Sequence, residues 1–344
     1  MGKYVLKRVI LALITLIIIM SLTFILIKLL PFQKPVGQAS AQFAYYQDQV
    51  RLGFVIRFDH PTEGYGDMLY HYQYGTYDYY YYQVPVMQQY FSWLKNILTA
   101  WDWGTSTFIS PNVDSMVIIG ERLVVSMEIN IISVIISVPI GIALGIWAAL
   151  KKNKPTDHII STLVMVFISV PSFILITFMM LMLCYNNQVL PSQWPSTSAP
   201  TGTKIAAYVI PVFCLSFGSI CGYTRYTRAE LCEVMSSDYL LLARTKGLTR
   251  RQAILRHALR NAMVPIVPSI LAEFIGILGG SMILEQLYGI PGIGKLYVTA
   301  LSSQDYNVLF VDMAVFTLIS LLAGVVLDLS YGFIDPRIRM GSKK

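Results

Sequence analysis

Charged residues are scarce in this 344-residue sequence. Lys, Arg, Asp and Glu together make up 13 % of it, and 55 % of the residues are hydrophobic. An ordinary soluble domain carries about 25 % charged residues. This number of charges cannot cover the surface of a water-soluble fold of this length. The composition therefore excludes a water-soluble globular protein. Intrinsic disorder and collagen-like repeats are excluded by the same composition.

Cysteine is also scarce, with four residues in the whole chain. Cys184, Cys214, Cys221 and Cys232 all lie in or beside apolar runs, or on the side of the membrane predicted below to be cytoplasmic. This placement does not indicate a disulfide framework. We expect the four thiols to be small buried apolar side chains.

Long apolar runs are abundant instead. A helix needs about 20 apolar residues to cross the hydrocarbon core of a bilayer. Six runs meet this length: 9–27, 123–150, 159–203, 205–224, 262–284 and 308–327, with Asn and Pro residues ending the third helix near Tyr185. We predict an all-α integral membrane protein with six transmembrane helices. The first run is longer than the apolar core of a signal peptide, so we expect it to be retained as a span.

The distribution of positive charge predicts the orientation. Eighteen Lys and Arg residues fall on the side that carries both termini, and eight fall on the other side. Positive residues accumulate in cytoplasmic loops, so we predict that both termini are cytoplasmic. The net charge of +7 then reflects loops beside a lipid surface, and we expect lipid contacts and no nucleic-acid partner.

These runs divide the chain into four parts. Residues 1–30 form an N-terminal segment with transmembrane helix 1, and residues 31–122 form an external loop. Residues 123–331 hold helices 2–6, with a cytoplasmic loop at 225–261. Residues 332–344 form a cytoplasmic tail.

The external loop is too long for a simple connection. Eleven of the 22 tyrosines lie between Tyr45 and Tyr82. Tyrosine packs its ring while its hydroxyl stays wet, so this stretch suits a partner surface or the membrane interface. A small cap that folds on its own helices is the other interpretation, and both stay open here. His60, Glu63, Asp67 and His71 lack the compact spacing of a metal site, so we expect a solvated loop.

Residues 237–261, called the elbow below, predict two short helices joined by a hinge. Ser237 and Asp238 are placed to cap the first helix, and Gly247 is placed to end it. Arg244 and Lys246 would then lie at the negative end of its dipole. Thr249 and Gln252 have the spacing of a capping box for the second helix, which runs into the fifth span. Spacing alone leaves two interpretations open, an elbow on anionic lipid or an elbow that docks a partner.

The elbow resembles the cytoplasmic coupling loop of the dipeptide/oligopeptide ABC importer permease family. The matching residues are Ala243, Arg244, Lys246, Gly247, Leu248, Arg256, His257, Ala258, Leu259, Asn261 and Pro265. The resemblance extends to KYVLKRVI, YFSWLKNILTAWDWGTS, ERLVVSMEIN, PTDHIISTLVMVFISVPSF, YGIPGIGKL and YGFIDPRIR, in the family's order. Leu241 and Leu242 depart from the Glu-Ala-Ala signature, Pro31-Phe32-Gln33 replaces the usual Gly-Asp-Pro, and the Tyr-rich insert is longer than usual.

This resemblance implies an ABC importer type I permease fold with an enlarged external loop between helices 1 and 2. It implies a bacterial inner-membrane protein that pairs with a second homologous permease, two ATP-binding subunits and an external substrate-binding protein. No catalytic, cofactor or metal site is expected on this chain, and ATP and Mg²⁺ would bind to the partner ATPases. The implied substrates are oligopeptides or dipeptides, with oligosaccharides or nickel as alternatives in the same family. The implied coupling residues are Asp238, Ala243, Arg244, Lys246, Gly247, His257 and Asn261.

Three acidic residues fall within the predicted spans. Glu128 and Asp312 lie near span ends, where they can reach the interface, whereas Glu273 is central and is either a pathway residue or a packed acid. A proton-coupled secondary transporter is therefore a rival interpretation. A membrane enzyme would need a catalytic set, and no residue spacing supports one.

Two glycine-containing motifs complete the sequence. Residues 289–295 spell a P-loop, but Leu296 replaces the Ser/Thr that Mg²⁺ requires, and no strand precedes it. We expect an external corner between spans five and six. Gly141 and Gly145 form a small-xxx-small face that predicts close helix packing.

Overall fold

The computed structural model describes residues 2–29, 39–62, 64, 68–276 and 279–334. Helices dominate this part of the chain. The α-helices are α1 Gly2–Lys28, α2 Ala39–Arg51, α3 Val86–Ala100, α4 Ser115–Leu150, α5 Pro155–Ile168, α6 Ser172–Met180, α7 Thr201–Ala207, α8 Val209–Met235, α9 Asp238–Thr245, α10 Arg250–Ala253, α11 Leu259–Gly276, α12 Met282–Tyr288, α13 Ile293–Ser303 and α14 Tyr306–Ile334. Two π-helical segments, Leu181–Asn186 and Ile254–Ala258, continue α6 and α10. The strands are β1 Val55–Phe58, β2 Met68–Tyr74 and β3 Tyr77–Gln83.

Five helical stretches of the described chain are long and apolar enough to cross a membrane. They are Val5–Lys28, Ser115–Leu150, Thr201–Met235, Arg251–Gly276 and Tyr306–Ser330. A sixth span follows if the pair Pro155–Ile168 and Ser172–Asn186 crosses as one broken helix, bent by 92°. The sequence predicted the end of this pair near Tyr185 but missed the break. Pro171 causes it, because proline disfavours helical geometry in the residue before it and cannot donate its own hydrogen bond.

Helix α1 shows what kind of environment these stretches require. Leu11, Ile14 and Ile18 are about half exposed along its length, and Leu26 is 64 % exposed. A row of exposed aliphatic side chains on one helix is stable in lipid and costly in water.

The predicted close packing of Gly141 and Gly145 is confirmed. A Cβ on Gly141 would stand 2.6 Å from the Cβ of Tyr223, and one on Gly145 would stand 2.6 Å from the Cβ of Thr227. Both partners lie on α8. The two glycines therefore let the backbones of α4 and α8 approach closely.

The described residues form two compact units. The first takes Leu123–Lys295 together with the described parts of both chain ends, Met1–Arg8 and Ile319–Lys344. Its core includes a buried cluster from α4, α6, α8 and α12. Ile129, Ile176, Ile210 and Tyr288 are at most 2 % exposed there.

The second unit takes Val9–Arg122 and Leu296–Leu318 and contains the Tyr-rich segment. Its three strands form an antiparallel sheet in the order β1-β3-β2. Tyr74 pairs with Tyr77 across a two-residue turn, whose first residue, Gly75, has a φ of +63°. Such turns favour glycine, and aromatic residues favour strands. The interpretation of this segment as a small cap that folds on its own helices therefore did not include the sheet.

Tyrosine rings form the interior of this unit. Tyr46 on α2 and Tyr81 on β3 are at most 1 % exposed, and Tyr46 stacks on Tyr70 with ring centroids 4.6 Å apart. Burial raises the pKa of both Tyr46 and Tyr81 to about 12. Nε2 of His71 lies within hydrogen-bond distance of Oδ1 of Asp78, at 3.1 Å. Glu63 and Asp67 lie outside the described residues.

The predicted fifth span, 262–284, was wrong at its C-terminal end. Helix α11 ends at Gly276, and α12 begins separately at Met282. Gly280 has a φ of +64°, a left-handed conformation that an α-helix cannot accommodate. The apolar run continues through this break, so hydropathy alone did not locate it.

Candidate functional site

The elbow consists of α9, a turn at Gly247, and a second helical arm made of α10, the π-helical segment and the start of α11. The arm continues without a gap into the span that ends at Gly276, as predicted. Gly247 has a φ of +93°, and its N–H donates to the carbonyl of Arg244 at 3.0 Å. The N–H of Leu248 donates to the carbonyl of Ala243 at 3.4 Å. Gly247 therefore ends α9 in the left-handed conformation that glycine adopts at least cost.

The predicted capping box at the second arm is confirmed. The N–H of Thr249 donates to Oε1 of Gln252 at 3.1 Å, and the N–H of Gln252 donates to the hydroxyl of Thr249 at 3.3 Å. The predicted cap at α9 differs. Ser237 has the extended backbone of an N-cap, but its hydroxyl donates back to the carbonyl of Val234 at 2.6 Å. Asp238 is the first helical residue and acts on α9 through its charge near the helix N-terminus.

One side of the elbow is packed against α4 and α8. Leu240 of α9, together with Ala253, Ile254 and Ala258 of the second arm, joins a buried cluster with residues of α4 and α8. Ala253 and Ala258 are fully buried. Both arms are thus fixed to the spans they connect.

The opposite side of the elbow is exposed and combines apolar with cationic side chains. Leu241 is 61 % exposed, Leu242 57 % and Leu255 50 %. The predicted coupling residues lie on this segment: Asp238, Arg244, Lys246, Gly247, His257 and Asn261 are exposed, and Ala243 is half-buried. An exposed apolar patch rimmed by charge is typical of a docking surface.

A cleft of about 600 Å³ opens beside α9. Its lining includes Lys151, Lys152 and Lys154 after α4, and Arg244 and Asp238 of the elbow. The cleft is therefore mainly cationic, so it favours acidic side chains or other anions.

A buried ion pair joins α5 to the part of α8 that leads into the elbow, and it was not predicted from the sequence. Nε and Nη2 of Arg228 on α8 lie 2.5 and 2.8 Å from the two carboxylate oxygens of Asp157 on α5. Asp157 is 1 % exposed, and it also accepts the N–H of Asn153 at 3.0 Å. Arg228 was predicted only as one of the positive residues of the cytoplasmic loop, because the predicted span ended at Thr224. In the structure α8 continues to Met235 and includes Arg228.

The three intramembrane acids lie in different settings. The prediction that Glu273 is central in its span was wrong, because it lies in the last turn of α11, where it accepts a hydrogen bond from the hydroxyl of Ser219. Glu128 is exposed and accepts the hydroxyl of Tyr208 at 2.8 Å. Asp312 is fully buried, which contradicts the expectation that its side chain reaches the interface.

The segment with P-loop spacing, residues 289–295, follows α12 and runs into the first turn of α13. Its main contact is with Glu285 on α12, a residue that was not predicted because it directly follows the predicted end of span five. The buried carboxylate of Glu285 accepts the hydroxyl of Ser126 at 2.8 Å and the N–H groups of Ser281 and Lys295 at 3.1 and 3.0 Å. Burial raises the pKa of Glu285. The N–H of Lys295 in this segment therefore binds a carboxylate of the same chain.

The chain is similar to membrane components of known transport systems. Residues 141–340 match the family described as "Binding-protein-dependent transport system inner membrane component". The dipeptide transport system permease protein DppB of Lactococcus lactis subsp. cremoris is 32 % identical over 340 residues, covering 99 % of this chain and 100 % of the relative. The oligopeptide transport system permease protein OppB of Salmonella typhimurium is 31 % identical, covering 74 % of this chain and 81 % of the relative.

Among solved structures, an inward-facing form of the MetNI methionine ABC transporter matches with a TM-score of 0.51. The identity is 17 %, and the match covers 64 % of this chain and 97 % of that chain. At this identity the likeness shows the fold alone, and that fold is the type I permease fold predicted from the sequence.

The spans, the continuous second arm and the exposed elbow define a multi-span helical permease of a transport system. The chain belongs to the binding-protein-dependent transport system inner membrane components, and the resemblance to dipeptide and oligopeptide permeases is confirmed.

Proposed function

We propose that this chain is one of two homologous permease subunits that enclose the translocation pathway of a peptide importer. Two ATPase subunits bind ATP and Mg²⁺ and hydrolyse the nucleotide, and an external binding protein delivers the substrate. Oligopeptides or dipeptides are the proposed substrates. Relatives that cover 74 % or more of this chain and carry the names dipeptide and oligopeptide permease support this choice.

The elbow is the observation that carries the proposal. Its inner side is packed against α4 and α8, so a push on its outer side moves the spans rather than bending the loop. Its outer side exposes Leu241, Leu242 and Leu255 next to Arg244 and Lys246. We assign this outer side as the docking surface for an ATPase subunit. The lysine-lined cleft beside it suits acidic side chains on that subunit.

This assignment places the elbow and both termini in the cytoplasm, in agreement with the excess of Lys and Arg on that side. ATP-driven closure of the two ATPase subunits would bring the two elbows of the permease pair together and switch the pathway from inward-open to outward-open. Hydrolysis would reset it. This is alternating access, with the ATPases changing the relative populations of two states. Glu273, near the end of α11, is proposed as a pathway residue.

The test is uptake by the assembled transporter in liposomes. The chain is co-purified with its partner permease and ATPases, supplied with the binding protein, and assayed with a panel of labelled peptides. ATP-dependent uptake that survives an ionophore is the expected result. Uptake by this chain alone, abolished by the ionophore and by Glu273→Gln, would establish the proton-coupled alternative instead.

A variant of the turn tests the elbow directly. Gly247→Pro is incompatible with a φ of +93°, because proline fixes φ near −65°. We expect the variant to insert normally but to lose ATPase binding and uptake. Gly222→Ala on α8 is the control, since nothing lies within 4 Å of its added Cβ. Wild-type uptake by Gly247→Pro would contradict the assignment of the elbow.

A further inference from the structure

A small cavity of about 90 Å³ lies within the second unit. Its walls come from the outer end of α1, from α2, from the sheet and from residues 304–307. A water molecule takes up about 30 Å³ in the liquid, so the space accommodates a few waters or one small polar group. It is distinct from the elbow and from the Glu285 corner, which belong to the first unit.

Four residues that line this cavity each carry a buried polar atom that lacks a hydrogen-bond partner among the described residues. They are Oη of Tyr46, Oε1 of Gln89, Oε1 of Gln304 and Oη of Tyr306. Tyr46 and Gln89 are each 1 % exposed. Buried polar atoms are nearly always paired, because leaving them unpaired costs free energy. Four such atoms around one cavity indicate that a polar ligand completes them.

The orientation of Gln89 shows that its oxygen is the atom left over. Its amide nitrogen donates to the carbonyl of Val84 at 2.6 Å. That bond satisfies one end of the side chain and leaves Oε1 as an acceptor for an N–H or O–H group. The cavity therefore offers acceptors from two glutamines beside hydroxyl groups from two tyrosines.

Lys28 supplies the charge of the cavity. Its ammonium lies 4.0 Å from the ring centroid of Phe54 and 5.5 Å from that of Phe24, and it forms no ion pair with a carboxylate of the described chain. Lys28 is half-buried. A partly buried cation without a counter-charge is unfavourable, and aromatic rings offset only part of that cost.

Two acidic residues near this cavity accept hydrogen bonds from donors other than Lys28. Asp48 and Asp305 both lie close enough to the lining residue Tyr45 to interact with it electrostatically. Asp48 accepts Nη2 of Arg51 at 2.7 Å, and Asp305 accepts the hydroxyl of Ser106 at 2.6 Å and the N–H of Phe108 at 2.9 Å. Neither of these two described carboxylates forms an ion pair with Lys28.

We propose that this cavity binds a carboxylate group. The ammonium of Lys28 and the hydroxyls of Tyr46 and Tyr306 would donate to its oxygens. Oε1 of Gln89 and Oε1 of Gln304 would accept an N–H next to that carboxylate or an accompanying water. A bare halide fits this set poorly, because the two glutamine oxygens would face it with their lone pairs.

Two sources share this chemistry. One is the C-terminal carboxylate of a peptide with its adjacent N–H, an identification that rests on the proposed function. The other is a free small organic acid. The volume admits only an end group, so side chains further along a peptide would lie outside the cavity.

The experiment measures binding to the assembled permease and ATPase complex in nanodiscs, without the external binding protein. Isothermal titration calorimetry is run with three probes, which are acetate, alanyl-alanine and alanyl-alanine amide. The variants are Lys28→Met and Tyr306→Phe, with the exposed Lys95→Met as the matched control. Melting temperatures of all four proteins confirm that they are folded.

The expected result is binding of a carboxylate probe to the wild type and to Lys95→Met, with no binding of the amide. Lys28→Met should weaken that binding at least about tenfold, the size of one lost charge-assisted hydrogen bond, and Tyr306→Phe should weaken it less. Binding of alanyl-alanine identifies a peptide terminus as the source, and binding of acetate alone identifies a free acid.

Three results would overturn the site: no binding of either carboxylate, equal binding of the amide, or unchanged binding to Lys28→Met. Uptake measurements separate this outcome from the fate of the proposed function. ATP-driven peptide uptake without carboxylate binding would refute the carboxylate site and support the importer function. Carboxylate binding without uptake would support the site and refute the importer function.

Discussion

The guanidinium of Arg228 donates two hydrogen bonds to the carboxylate of Asp157, with nitrogen–oxygen distances of 2.5 and 2.8 Å. The two residues stand at the start of α5 and near the end of α8, which leads directly into the elbow. Two parallel contacts fix orientation as well as distance. The ion pair thus fixes the start of α5 against the C-terminal part of α8.

Asp157→Asn should destabilise the protein substantially. Removing one partner of a buried ion pair leaves the other charge uncompensated, which costs about 3–5 kcal/mol. The lower end of that range applies here, because the Arg228 side chain is 31 % exposed. The measurement is the apparent melting temperature in detergent.

The pair formed by Arg8 and Asp328 supplies the matched control. Its side chains are 45 % and 33 % exposed at a distance of 3.0 Å. Exposed pairs contribute about 0–1 kcal/mol, so Asp328→Asn should have a small effect. Equal losses from the two variants would refute the distinction between these ion pairs.

Gly145→Ala should separate α4 from α8. Its new Cβ would lie 2.6 Å from the Cβ of Thr227 and 2.8 Å from the carbonyl oxygen of Thr224, so the backbones must move apart. Overpacking of this kind costs about 1–3 kcal/mol. Thermal unfolding compares the variant with Gly222→Ala, whose Cβ meets nothing within 4 Å. A Gly145→Ala protein as stable as that control would show that the helices tolerate separation.

Thr249→Ala should loosen the second arm of the elbow without changing the spans. It removes the hydroxyl that accepts the N–H of Gln252, a capping contact worth about 1 kcal/mol. Faster hydrogen exchange is expected at residues 250–256, with unchanged exchange in α8. Thr249→Ser keeps the hydroxyl and should preserve protection, so exchange that rises equally in both variants would exclude the capping contact as the cause.

Glu285 should make stability depend on pH. Its pKa is raised from 4.5 by burial, so the folded state holds the proton at pH values where the unfolded state has released it. The folded state therefore loses stability as the pH rises from about 4.5 through the folded pKa, and no further loss follows above it. We expect this slope in melting temperatures of the wild type and its absence in Glu285→Gln.

The hydrogen bonds of Glu285 give a second comparison at the same position. Glutamine keeps an oxygen that accepts the N–H groups around α12, whereas Glu285→Ala leaves Ser126 and Lys295 without that acceptor. Alanine should therefore destabilise the corner more than glutamine at neutral pH. Identical melting curves for the two variants at neutral pH would mean that the hydrogen-bond acceptor at this position does not matter.

Several features of the fold could be predicted because they depend on residues close together in the chain. Hydropathy identified the transmembrane stretches, since the bilayer fixes the length of each apolar run. The capping box at Thr249 and the turn at Gly247 were predicted from three or four residues each. The strand signals in the external segment were available, with aromatic residues flanking Gly75, but no strand was predicted there.

The helical membrane class, the transmembrane stretches, the elbow and the family follow from the amino-acid sequence. The pairing of Arg228 with Asp157, the hydrogen bond from Ser126 to Glu285, and the place of Lys28 in the same cavity lining as Tyr46 and Gln89 come from the three-dimensional structure. The physical reason is the range of the interactions. Hydropathy, capping and turn geometry act over a few residues, whereas these contacts join residues from 18 to 159 positions apart, through helix packing that no local pattern encodes.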